Sequence, residues 1–266
     1  MLSMVFRRVA FLILALPGAL AAQATAHGCR ADAQSTISTD RPQITEASTV
    51  VPCGSIQLEN GFAVSGSGEQ NGLDLTETWM RFGIPAMGEV RVGVPDYFTN
   101  ASVASGFSSG FGDLSLGYKQ QLGPTHGFDV SLIPSLSLPT GANRISSHGY
   151  DPSLQLPWSR SLTKNWTAAG MFAVAWPTQP AGRNTTGQLD AYFDRQLTAP
   201  LDAWAEYSGS FPERGGPQHI LNVGACMKPT PHQQIDFHAS FGLSAAAPDY
   251  SVGLGYSARF QVVRRP

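Results

Sequence analysis

Between residues 162 and 176 every second side chain from Trp166 onward falls on one face of an extended chain: Trp166, Ala168, Gly170, Phe172, Val174 and Trp176. The opposite face, Asn165, Thr167, Ala169, Met171, Ala173 and Ala175, is small and partly polar. Ten strand steps at about 3.3 Å, tilted by about 40°, project to roughly 25 Å, the height of an outer-membrane apolar band. Trp166 and Trp176 would then stand at its two rims. A sandwich strand usually runs about 5 to 6 residues and has no reason to edge its apolar side with tryptophan. A chain built on this unit crosses a bilayer with strands.

The rest of the 266 residues supports that reading. With 28 glycines, 19 prolines and only 14% charged residues, turns and strands are favoured over surface helices. The mean hydropathy of -0.08 excludes a bundle of spanning helices, each of which needs about 20 apolar residues. It is compatible with barrel strands, whose lipid-facing and lumen-facing residues alternate and average to neutral.

The one long apolar run, residues 9–20, follows Arg7 and Arg8 and precedes small residues. It reads as a secretory signal, residues 1–24, with cleavage after Ala24 or Ala26. Its removal takes two of the 17 basic residues and no acid, leaving 15 against 19 acidic ones, a formal charge of -4. Such a balance gives no footing for nucleic acid.

Residues 27–54 carry no usable periodicity and contain Pro42 and Pro52, so they are expected to form a periplasmic lead-in, either outside the barrel or plugging it. From Ser55 alternation begins and continues to Phe260. Twelve strands are predicted, over 55–65, 73–84, 89–94, 113–122, 128–138, 151–162, 166–176, 187–197, 201–211, 219–228, 233–243 and 250–260. Short and long connections alternate, the hairpin order of an all-β, antiparallel, up-and-down transmembrane barrel. Residues 66–72 and 95–110 are expected to be loops, and 261–266 a C-terminal tail. Pro134 on an apolar parity requires a bulge.

Strand parity sends Glu59, Glu77, Trp79, Arg81, Arg91, Lys119, Asp190, Tyr192, Asp194, Trp204, Glu206, His238 and Arg259 into the lumen, with Asp129 and Asp236 beside them. Both signs are present. Paired, these charges brace the wall; unpaired, they would be costly and would line a solute path. Arg160 and Arg195 break the outward apolar parity near periplasmic turns, where a lipid-facing charge costs only about 0 to 1 kcal/mol.

Other chemistry has little support. Gly106 to Gly110 matches G-x-S-x-G, but no helix pattern follows Ser108, so the strand-turn-helix context of a nucleophile elbow is missing and no catalytic residue is assigned. The six histidines show no metal-ligand spacing, and neither metal nor cofactor is expected. Among three cysteines, Cys29 and Cys53 are candidates for a disulfide in an exported protein, with Cys226 left over.

Three segments resemble a known family. They are Ser38-Thr39-Asp40-Arg41-Pro42 with residues 51–62 (VPCGSIQLENGF), then Gly112-Asp113-Leu114-Ser115-Leu116-Gly117, then Ala247-Pro248-Asp249-Tyr250 before the last strand. Together they are similar to the outer-membrane barrel family catalogued under the MetA pathway of phenol degradation. Cys53 stands where that family more usually has proline, and the chain continues past Phe260, where barrels commonly end. The resemblance implies an outer-membrane transporter or channel for passive passage of small, hydrophobic or aromatic molecules, with no catalytic residues. Outer-membrane lipid, a small solute and the barrel-assembly machinery are the expected partners. The alternatives are a structural barrel with a closed lumen and an outer-membrane lipid hydrolase.

Overall fold

The computed structural model describes residues 35–102 and 106–263. The expected signal segment and Cys29 lie outside the described residues. Fourteen strands follow in order: β1 (Ser55–Ser67), β2 (Gln70–Ile84), β3 (Gly88–Gly93), β4 (Tyr97–Ser102), β5 (Gly106–Phe111), β6 (Leu114–Thr125), β7 (Phe128–Leu138), β8 (Asp151–Ser161), β9 (Trp166–Ala175), β10 (Thr186–Gln196), β11 (Leu201–Pro212), β12 (Gln218–Thr230), β13 (Gln233–Gly242) and β14 (Tyr250–Gln261). Each pairs antiparallel with its neighbours, and β1 pairs with both β14 and β2, so the sheet closes on itself. Closure removes every edge, as lipid demands of a spanning sheet.

The wall has twelve strands. The inner half of β2 pairs with β3 and its outer half with β4, and β3 and β4 pair in turn with β6 and β5. Thus β3 with β4, and β5 with β6, are two wall strands, each interrupted, at residues 94–96 and 112–113.

This corrects the expectation of a loop over residues 95–110. Gly and Ser suppress apolar alternation there, yet the two arms form a hairpin held by its ladder and by the Tyr97 and Phe111 rings, 5.1 Å apart. Similarly, β1 and β2 run on through the expected 66–72 loop, leaving Gly68 and Glu69 between them, with Gly68 at φ +56°.

The outside is the apolar side. Phe172, Phe193, Phe237, Phe241, Leu254, Tyr256 and Phe260 are exposed, whereas Gln57, Glu59, Arg81, Glu89, Arg91 and Lys119 are buried. This inversion of the usual burial rule marks a protein solvated by hydrocarbon around a polar interior. At one rim the arginines break the pattern as expected: the Arg195 guanidinium lies 5.3 Å from the Trp166 ring centre and that of Arg160 4.9 Å from Phe128. β1 begins and β14 ends at that same rim, where Ser55 pairs with Gln261.

Candidate functional site

The lumen is occupied by the chain's own N-terminal segment. Residues 35–54 have no regular structure because their backbone groups are satisfied by wall side chains instead of a ladder. Ile44 and Thr45 donate their N–H groups to the Glu206 carboxylate at 2.9 and 2.8 Å, Val51 N–H donates to Glu89 at 2.8 Å, and Asp40 N–H to Glu59 at 2.9 Å. Because Glu59, Glu89 and Glu206 come from β1, β3 and β11, the segment ties opposite sides of the barrel together. It lies within the ring of strands, the plugging alternative among the two arrangements open to a lead-in.

Charge fixes it in place. Asp40 sits 3.1 Å from Arg81 Nε, 2.8 Å from Arg91 Nη2 and 2.8 Å from Lys119 Nζ. Burial alone would raise the Asp40 carboxyl, but these three cations hold it well below the usual carboxylate range. Arg81 also reaches Glu59 at 2.6 Å and Glu89 at 2.7 Å, so the wall braces itself where it holds the segment. Arg91 binds Glu46 at 2.6 Å; burial pushes Glu46 up to about 7, with Arg91 opposing and Asp40 adding to the rise.

A second anchor lies on the far side of Asp40. The Arg41 guanidinium bonds Glu77 at 2.5 Å and Asp236 at 3.3 Å. It packs over Gly61 and Gly255, where an added Cβ would stand 2.1 to 2.6 Å from guanidinium atoms. Gly83 works the same way under the segment, since a Cβ there would meet the Pro52 and Val51 carbonyl oxygens at 2.2 and 2.4 Å.

Above the segment is a cavity of about 440 Å³. Its floor is formed by residues 40–44 and 46, and its sides include Asp74, Glu77, Trp79, Asp96, Ile220 and His238. Arg91 also lies 4.6 Å over the Trp79 ring.

Of the thirteen side chains predicted to line the lumen, Glu77, Trp79 and His238 reach this cavity. Glu59, Arg81, Arg91, Lys119 and Glu206 are buried against the N-terminal segment, and Arg259 bonds the Ser35 carbonyl. Asp190 and Trp204 are buried, and Tyr192 and Asp194 half-buried, on β10 and β11. Sequence parity missed Asp74, because β2 carries a bulge: Glu59 pairs with Trp79, but Gly61 pairs with Thr76. The extra residue flips the inward parity of β2 from odd to even, and Thr76 and Glu77 take φ of +79° and +21° to make it. Glu89 and Asn222 were also missed, as were Asp40, Arg41 and Glu46 of the segment itself. The adjacent acid and base of Asp40-Arg41 in an otherwise patternless stretch were the available signal.

The Ser108 motif is a strand, β5, laid against β4. Cys226 is a free, buried thiol.

The model of the family described as "Putative MetA-pathway of phenol degradation" matches residues 39–260, the N-terminal anchor and the barrel together. The chain belongs to that family. Solved structures share its fold at low identity. An outer membrane channel from Pseudomonas putida F1 is 14% identical, with TM-score 0.60, covering 82% of this chain and 99% of that one. The NanC porin is 9% identical, with TM-score 0.53 over 76% and 98% of the two chains. The KdgM porin, solved in complex with disordered oligogalacturonate, is 10% identical, with TM-score 0.52 over 77% and 99%. No curated protein matches the chain in sequence.

Proposed function

We propose that this MetA-pathway family member is a passive outer-membrane channel for small molecules, closed at its periplasmic end by residues 35–54. The observation that carries this reading is the arrangement of the segment: beside the buried Ile37, Pro42 and Val51 it is held to the wall by many ion pairs and hydrogen bonds, and it floors a solute-sized cavity. Polar anchors release into water at modest net cost, because water replaces their partners. Solute enters from the long loops, occupies the cavity, and passes when the segment moves aside. The same barrel in porins and an outer membrane channel supports passage. Outer-membrane lipid around the apolar belt, and the assembly machinery reading the final strand, complete its surroundings.

The test is to lock the segment. Ser48 and Ser159 hydroxyls are 2.7 Å apart, so the two side chains meet between segment and wall and are the pair to replace with cysteine. In planar bilayers, refolded Ser48→Cys/Ser159→Cys protein should lose conductance on oxidation and regain it on reduction, with unmodified protein as the control for the reductant. Conductance indifferent to the lock would show that the segment is not the gate. No conductance in any state, from protein folded by its heat-dependent gel mobility, would favour a structural barrel.

A further inference from the structure

Resting on the channel reading, we propose that the cavity above the N-terminal segment is a binding site for an organic cation, an ammonium or guanidinium group carrying a compact apolar body. The argument comes from the register of the four strands β13, β14, β1 and β2. At one level Asp236, Gly255, Gly61 and Thr76 stand in a row across these strands. Arg41 of the segment lies on that row, its guanidinium packed on Gly255 and Gly61 and held at either end by Asp236 and by Glu77, beside Thr76.

Two residues further along, about 7 Å away, the pattern repeats. His238, Gly253, Ala63 and Asp74 form the next row, again two polar groups flanking two small residues. His238, Ala63 and Asp74 all line the cavity. Only part of this second cradle is open: the His238 ring itself lies over Gly253, where an added Cβ would stand 2.3 Å from its Cε1, while Ala63 and Asp74 face the cavity.

Its polar groups are left over. Asp40, Glu46 and Glu77 are each matched by Arg81, Arg91, Lys119 or Arg41, but no ion pair is formed by Asp74 or Asp96 among the described residues. Asp74 Oδ1 is buried without a hydrogen-bond partner among them. At the other end of the row His238 is only 9% exposed, and its Nδ1 is likewise unpartnered. Asp96 donates further negative charge from the wall break, with one oxygen accepting from Thr78 N–H at 3.1 Å. Buried acceptors without donors are expensive, and a ligand bearing several N–H donors and a positive charge supplies what they lack. Ile44, Ile220 and Pro248 around the same cavity suit an apolar body. Such a mix, apolar walls with a few convergent polar groups, is that of a small-molecule site.

The experiment is calorimetric titration of the folded full-length mature protein in detergent with three probes of one size: benzylammonium, benzyl alcohol and benzoate, each corrected for partition into empty micelles. Benzylammonium should bind at least about tenfold more tightly than the alcohol, with benzoate weakest, and Asp74→Asn should remove about tenfold of that affinity. Equal binding of the three probes to unmodified protein overturns the site whether or not any variant folds. So does benzylammonium affinity that survives both Asp74→Asn and Asp96→Asn. Bilayer conductance of the same preparation keeps the two readings apart. Conductance without charge preference in binding removes the site and leaves the channel; cation binding without conductance does the reverse.

Discussion

Lys119 Nζ lies 2.8 Å from Asp40 Oδ1, joining β6 of the wall to a segment 79 residues earlier in the chain. The same carboxylate faces Arg81 and Arg91, so one side chain of the segment answers three cations of the wall. Removing one partner from a buried ion pair costs about 3 to 5 kcal/mol, because the others are left uncompensated. Asp40→Asn is therefore expected to weaken docking of the segment by about that amount while the barrel stays closed. Hydrogen exchange should show the change directly: the amides of Ile44, Thr45 and Val51, now bonded to Glu206 and Glu89, should lose protection, and those of the barrel ladder should keep theirs.

Docking should also respond to pH through Glu46. Its carboxyl titrates at about 7 when docked, against 4.5 in its ordinary state, with Arg91, Asp40 and Lys119 as the charges around it. Between those values the docked state holds the extra proton, so the contribution of this group is fully present below 4.5 and is lost as pH rises through about 7. Asp40 has the opposite sense, but its depressed value moves that loss to strongly acid solution. Channel opening should increase from pH 5 to pH 8 by roughly 50- to 100-fold, and Glu46→Gln should flatten the profile.

Close approach gives a third test. A Cβ at Gly83 would meet two carbonyl oxygens of the segment, at Val51 and Pro52, and backbone cannot swing aside as a side chain can. Overpacking of this kind costs about 1 to 3 kcal/mol. Gly83→Ala should loosen the segment near residue 51 and leave exchange at Ile44, on the far side of the lumen, nearly unchanged. Equal loss at both ends would show that the segment docks as one rigid piece.

How much of this was legible beforehand follows from which solvent each residue faces. Hydrocarbon tolerates few polar groups, so away from the rims the outward residues of β9 to β14 are apolar at every second position and the strands could be read off. Inward positions carry no such demand, yet Glu59, Arg81 and Lys119 announced themselves because only a lumen excuses a charge at alternate positions of an apolar strand. Asp74 was hidden by the bulge at Thr76 and Glu77, which no alternation rule anticipates. β4 and β5 were hidden because Thr99 and Asn100 in the first, and Gly and Ser in the second, leave no apolar face to count. The N-terminal segment was hidden for a different reason: its partners are side chains brought together only after the barrel closes, so nothing local in residues 35–54 encodes its conformation.

The lipid face supplies the last prediction, since it separates depth from charge. Arg195 stacks on Trp166 at the rim, where its side chain reaches water past the apolar band, and Arg195→Leu is expected to change stability by less than about 1 kcal/mol. Phe172 is on the same outward face of β9, paired across strands with Leu189 and Leu156 near the middle of the band. A charge there has neither water nor an aromatic rim within reach, so Phe172→Arg should cost about 2 to 4 kcal/mol. Urea titration of the protein in phospholipid vesicles, read by heat-dependent gel mobility, measures both. Comparable costs at the two positions would mean that residue 195 lies as deep as residue 172, and the outer-membrane placement of the barrel derived from its tryptophan rims would fail.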